Sequence, residues 1–141
     1  MRAGDRQLPV DRWLSIDAEI LIPAAMSYVL ADANVDEVRA PLVVEAANVP
    51  TVETAQRRLH ERGVTVVPDF VANVATNAWW WWTLFGDTEP AADAAFAKIA
   101  STLGSLVTQV LGTAARDRVR PRTVALAMSA ARSAEVSSRH A

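Results

Sequence analysis

The sequence contains no cysteine, which removes disulfides, thiolate metal sites and a thiol nucleophile from consideration. Histidine is confined to His60 and His140, far apart, and no cluster of His, Asp and Glu has metal-ligand spacing. No metal site is expected. Lysine occurs only at Lys98, a position that reads as a solvated helix residue. The glycines, Gly4, Gly63, Gly86, Gly104 and Gly112, form no G-x-G-x-x-G. No apolar run approaches the roughly 20 residues of a membrane span. The polar start, Met1 to Pro9, lacks the apolar stretch of a signal peptide. A soluble, cytoplasmic protein without a membrane partner is the expectation. The formal charge of -2 leaves no basic field for nucleic acid. Arg116, Arg118, Arg120 and Arg122 do gather, and read as a solvated helix end and turn.

What is present is an ordinary globular composition: 141 residues, 51% hydrophobic and 21% charged, about one domain by length. Three short apolar runs stand out: Ile20-Leu21-Ile22, Leu42-Val43-Val44-Glu45-Ala46 and Val64-Thr65-Val66-Val67. The first two lack strict alternation, as strands covered on both faces do. Their spacing leaves room for a helix between each pair. Asn34 stands where it could cap a first helix, with Glu37 reaching back. Thr51 could cap a second, Val52 to Arg62, which Gly63 would close. His60 falls on the solvated face of that segment.

After Phe70 the pattern becomes helical. Ala91 to Arg116 carries Phe96, Ile99, Leu103, Leu106, Val107, Val110 and Leu111 at steps of three and four. Pro121 and Thr123 announce a last helix, about Val124 to Ser133, and residues 134–141 read as a frayed tail. The fold class is α/β: three parallel strands, half of a doubly wound sheet, followed by C-terminal helices.

Ligands of open parallel sheets bind beyond the carboxyl ends of the strands. Those ends are Pro23-Ala24-Ala25, Glu45-Ala46-Ala47-Asn48 and Pro68-Asp69-Phe70-Val71-Ala72-Asn73. Asn48 and Asn73 thus share one sheet edge. Each can serve a carboxamide or ribose hydroxyls, or act only as a turn residue.

The order Ile20-Leu21-Ile22-Pro23-Ala24-Ala25, then Glu45-Ala46-Ala47-Asn48-Val49-Pro50-Thr51, then Arg62-Gly63-Val64 through Pro68-Asp69-Phe70-Val71-Ala72-Asn73 closely resembles the Glu/Leu/Phe/Val dehydrogenases. That family reads LIPAA, EGANxPT and RGxxVxPDxxANAGG at comparable spacing. The resemblance covers roughly residues 8 to 133. It implies a partial dinucleotide-binding domain over residues 1–133. It also implies oxidative deamination of an L-amino acid to a 2-oxo acid with NAD or NADP. Ala24, Ala25, Asn48 and Asn73 would face the cofactor. The family's glycine-rich pyrophosphate loop and its catalytic lysines match nothing in this sequence. The chain therefore reads as the C-terminal part of the nucleotide domain, inactive alone and completed by an N-terminal substrate domain or by a homo-oligomer. The competing class is a non-catalytic remnant or interaction module that keeps the fold.

The chain also departs from the family pattern within the shared part. Ala46 replaces the glycine of EGAN, and Val74-Ala75-Thr76 replaces the residues after ANAGG's asparagine. Added Cβ atoms stand where the backbone usually approaches closely. Counting without gaps puts Trp80 where members often carry a substrate-contacting serine, which makes Trp80 a substrate-pocket candidate. It belongs to the run Trp79-Trp80-Trp81-Trp82, which on a helix rings most of the circumference. Such a helix is expected to lie wedged between domains or subunits, or to wall a large apolar substrate side chain.

Overall fold

A computed structural model describes residues 9–139. Three strands form one parallel sheet in the order β1-β2-β3: β1 Ile20–Leu21, β2 Leu42–Val44 and β3 Thr65–Val67. Ile20 pairs with Leu42, and Val43 with Val66. The parallel half-sheet expected from the apolar runs is present. The second strand stops at Val44, and the next residue, Glu45, still donates its N–H to the Val67 carbonyl at 3.1 Å.

The first connection differs from the expectation. Between β1 and β2 the structure has only a 3-10 turn, Val35–Glu37, and no α-helix. Asn34 does not cap it. Its Oδ1 accepts from the Ala31 N–H at 2.9 Å, and its Nδ2 donates to the Val29 carbonyl at 2.8 Å. An asparagine that bonds local backbone in this way offers the chain an alternative to helix. Leu30 instead forms an isolated bridge with Thr51.

The second connection is helix α1, Glu53–Glu61. Val52, not Thr51, occupies its N-cap, since Thr51 is held extended by the bridge to Leu30 and its buried hydroxyl has no partner. Gly63 closes the helix at φ 78, the left-handed geometry glycine adopts without penalty. Leu59 and Ala55 are fully buried and join Leu30, Val35, Val38 and Val43 in one core.

Beyond β3 lie the short helix α2 Asp69–Ala72, then α3 Ala75–Leu84, α4 Ala92–Asp117 and α5 Pro121–Arg139. A second core joins Val67, Val71, Val110, Ala114, Val124 and Ala125 across the other face of the sheet. The stripe on α4 is buried only toward its C-terminal end. Val110 is fully covered, whereas Phe96 is 69% exposed. Helix α5 starts at Pro121, whose missing N–H suits a first helical position. It therefore needs no cap from Thr123, and it runs past Ser133 to Arg139, through most of the expected tail.

Candidate functional site

The carboxyl ends of β2 and β3 bring the two asparagines together. Asn73 Nδ2 donates to Asn48 Oδ1 at 2.7 Å. Among the described residues nothing takes Asn48 Nδ2 or Asn73 Oδ1, so the pair presents both a donor and an acceptor outward. Beyond β1, Ala24 and Ala25 are exposed and line an open, largely apolar hollow of about 500 Å³ with Trp13, Ile22, Pro23 and Met26. The Pro23 carbonyl accepts from the N–H groups of Ala46 and Ala47 at 3.2 and 2.9 Å. These bonds tie the β1 end to the turn that carries Asn48.

That turn is strained. Val49 sits at φ 46, and a β-branched residue in the left-handed region is an outlier that its surroundings must impose. The surroundings are visible. The Val49 N–H donates to Asp69 Oδ2 at 2.9 Å. The Val49 carbonyl accepts from the Tyr28 N–H at 2.8 Å, and the Asn48 carbonyl from the Ser27 hydroxyl at 2.7 Å. Asn48 is thus held from both sides by backbone-directed bonds, while its own Nδ2 stays available.

Asp69 belongs to a buried polar cluster that pattern reading does not find. Glu45, fully buried, accepts from Gln56 Nε2 at 2.9 Å and from the Asp69 N–H at 2.9 Å. Arg122, from the first turn of α5, donates through Nε to Gln56 Oε1 at 2.8 Å. Its Nη2 donates to Asp69 Oδ1 at 2.7 Å and lies 3.4 Å from Glu45 Oε2. The guanidinium also lies over the Phe70 ring, 5.1 Å from its centroid. Buried carboxylates persist when paired and hydrogen-bonded, and here one arginine fork satisfies two of them. Arg122 is therefore not part of a solvated run. Arg120 likewise pairs with Glu53 at 2.6 Å. The available signals were a carboxylate closing an apolar run and an arginine directly after a helix-starting proline.

Helix α3 has no buried residue. Trp80 is 62% and Trp81 53% exposed, with Leu84 and Phe85 exposed beside them. Trp81 stacks on Phe85 with centroids 5.6 Å apart. Trp80 lines a hollow of about 230 Å³ with Trp79, Thr83 and Leu84, separate from the hollow at Ala24 and Ala25. Lys98 is not simply solvated: its Nζ donates to the Asp87 carbonyl at 2.6 Å and lies 4.8 Å from the Trp82 ring centroid. It secures the turn from α3 to α4. His60 is exposed, as expected.

Comparison with known proteins agrees with this architecture. A stretch of 57 residues is 60% identical to the NADP(+)-dependent glutamate dehydrogenase of Pyrobaculum calidifontis, covering 40% of this chain and 14% of that protein. The NAD-specific glutamate dehydrogenase A of Halobacterium salinarum is 41% identical over 70 residues, 50% of this chain and 16% of that one. The matched stretches thus span about one seventh of these relatives. Among solved structures, the hetero-hexameric glutamate dehydrogenase of Thermus thermophilus in its Leu-bound form superposes with a TM-score of 0.76 at 23% identity, over 92% of this chain and 32% of that one. The L-tryptophan dehydrogenase of Nostoc punctiforme gives a TM-score of 0.75 at 19% identity, over 87% and 36%. The superpositions show a Rossmann-like α/β fold. The family model for Glutamate/Leucine/Phenylalanine/Valine dehydrogenase matches residues 2–140, and with a match of that extent the chain belongs to that family.

Proposed function

We propose that this chain supplies the nicotinamide-facing part of the nucleotide domain of an NAD(P)-dependent amino-acid dehydrogenase. In the complete enzyme the reaction is oxidative deamination of an L-amino acid to a 2-oxo acid. The observation that carries the reading is the Asn48–Asn73 amide pair at the carboxyl edge of a parallel sheet. It offers a donor and an acceptor suited to a carboxamide and ribose hydroxyls. Ala24 and Ala25 give an apolar surface beside it. These residues fit the nicotinamide–ribose end of NAD or NADP. Nothing in the sequence fits its pyrophosphate, which such domains hold on a glycine-rich loop at a helix N-terminus. When bound, the cofactor supplies the hydride acceptor. The residues here orient it.

The single lysine is engaged with the Asp87 carbonyl and the Trp82 ring, and the carboxylate next to the asparagine turn, Asp69, is tied to the Val49 N–H and to Arg122. Turnover by this chain alone is not expected. We assign the remaining chemistry to a substrate domain or a second copy seated on the exposed tryptophan face, in a cytoplasmic enzyme. Trp80 would then wall the side-chain pocket of a bulky apolar amino acid. The replacement of family glycines by Ala46 and Ala75 favours a second reading, a domain that keeps the fold without turnover.

The test is an NMR titration of the chain with nicotinamide mononucleotide and, separately, with adenosine monophosphate. The expected result is saturable shifts at the Asn48 and Asn73 side-chain amides with the nicotinamide probe only. Shifts with the adenine probe alone, or none at these amides, overturn the reading.

A further inference from the structure

The buried cluster suggests how the Asn48 turn is kept in its strained shape. Three observations combine. Val49 is held at φ 46, and its N–H is directed to Asp69 Oδ2 at 2.9 Å. The other Asp69 oxygen, Oδ1, accepts from Arg122 Nη2 at 2.7 Å. Arg122 in turn is fixed by Gln56 Oε1 on its Nε side and by the Phe70 ring below its plane. One carboxylate therefore carries the arginine on one oxygen and the strained turn on the other.

We propose that Arg122 is a positioning residue: through Asp69 it sets the Val49 turn and thereby the orientation of Asn48 against Asn73. The inference rests on the reading of that pair as cofactor-facing, but its structural step can be measured without any cofactor. Its physical basis is the fork. A carboxylate free to rotate holds a backbone N–H less firmly than a fixed one, and the strain at Val49 and the bond that opposes it are of similar size. Arginine removes that freedom. It presents several donors in a fixed plane and can engage Gln56 and Asp69 together, whereas a lysine ammonium is a single point on a flexible stem. Arg122 has 20% of its side chain exposed and Asp69 10%, so the pair is shielded and the geometry persists.

The site thereby reaches a part of the chain 53 residues past Asp69. The start of α5 becomes part of the apparatus that shapes the nicotinamide edge, although Arg122 itself touches neither asparagine. It also gives the Pro121 start of α5 a purpose: a fixed first turn launches the arginine toward the sheet.

The experiment is native-state amide exchange on the full chain, comparing Val49 with Val64, whose N–H bonds the Leu59 carbonyl at 2.9 Å in the other core. In Arg122→Gln, exchange at Val49 should rise at least about tenfold more than at Val64. Arg122→Lys should fall between, restoring charge without the fork. A general loss of stability raises both amides by a similar factor, so a rise at Val49 no larger than that at Val64, like unchanged protection at Val49, overturns the proposal. Should Arg122→Gln fail to fold, Arg122→Lys against wild type makes the same comparison. Nicotinamide mononucleotide titration of Arg122→Gln should show affinity weakened about five- to tenfold. If wild type takes no nicotinamide probe but Val49 responds as stated, the positioning role stands and the cofactor reading alone falls.

Discussion

Asn73 reaches across 25 residues of sequence to donate a 2.7 Å hydrogen bond from its amide to the Asn48 side-chain carbonyl. Neither residue is buried, so this bond is made in competition with water. Its net worth is about 1 kcal/mol. Asn48→Ala should therefore leave the folded state nearly as stable as before in urea titration, lowering it by no more than about 1 kcal/mol. The same change should abolish the nicotinamide-probe shifts. A loss of several kcal/mol would mean that the pair serves folding.

Glu45 behaves oppositely. It is fully buried and accepts from Gln56, from the Asp69 N–H and from Arg122. Removing one partner of a buried pair leaves the other charge uncompensated, at about 3–5 kcal/mol. Glu45→Ala should lower the unfolding free energy, measured by urea titration, by an amount in that range. A variant as stable as wild type would show that Arg122 is satisfied by Asp69 and Gln56 alone.

Gly63 gives a cleaner number. A Cβ built there meets nothing within 4 Å, so no packing clash contributes. The φ of 78 is the whole cost. Gly63→Ala should destabilise the chain by about 1–2 kcal/mol, measured by chemical denaturation.

The tryptophan face predicts association. Trp80 and Trp81 are both more than half exposed. With about 200 Å² per ring and about 25 cal/mol per Å², these two leave roughly 6 kcal/mol of burial unrealised. Light scattering of the chain should show species larger than a monomer, and Trp80→Ser with Trp81→Ser should reduce them. A monomer at high concentration with blue-shifted tryptophan emission would mean that the face is covered within the chain itself.

Part of the fold is legible in the sequence. Apolar runs, the helix-closing Gly63 and the positions of Asn48 and Asn73 after their strands all follow from periodicity and turn chemistry. The first connection misled, because room for a helix is not a reason for one: Asn34 bonds its own backbone, and Leu30 bridges to Thr51. Arg122 was beyond pattern reading for another reason. Its partners lie 53, 66 and 77 residues away, and no local periodicity encodes which carboxylates a surface-looking arginine will meet. The exposure of α3 was hidden too, since four tryptophans in a row describe what a helix could bury and not whether anything stands beside it.

The sheet has a consequence for the order of folding. Every ladder is parallel, joining Ile20 to Leu42 and Leu42 to Thr65, so no hairpin can seed it. Each pairing must close a long loop before any contact rewards the lost entropy. Helices α1 and α4 draw their hydrogen bonds from within four residues, whatever their packing later adds. The topology predicts that the three strands, and with them the edge that carries Asn48 and Asn73, assemble after the helices.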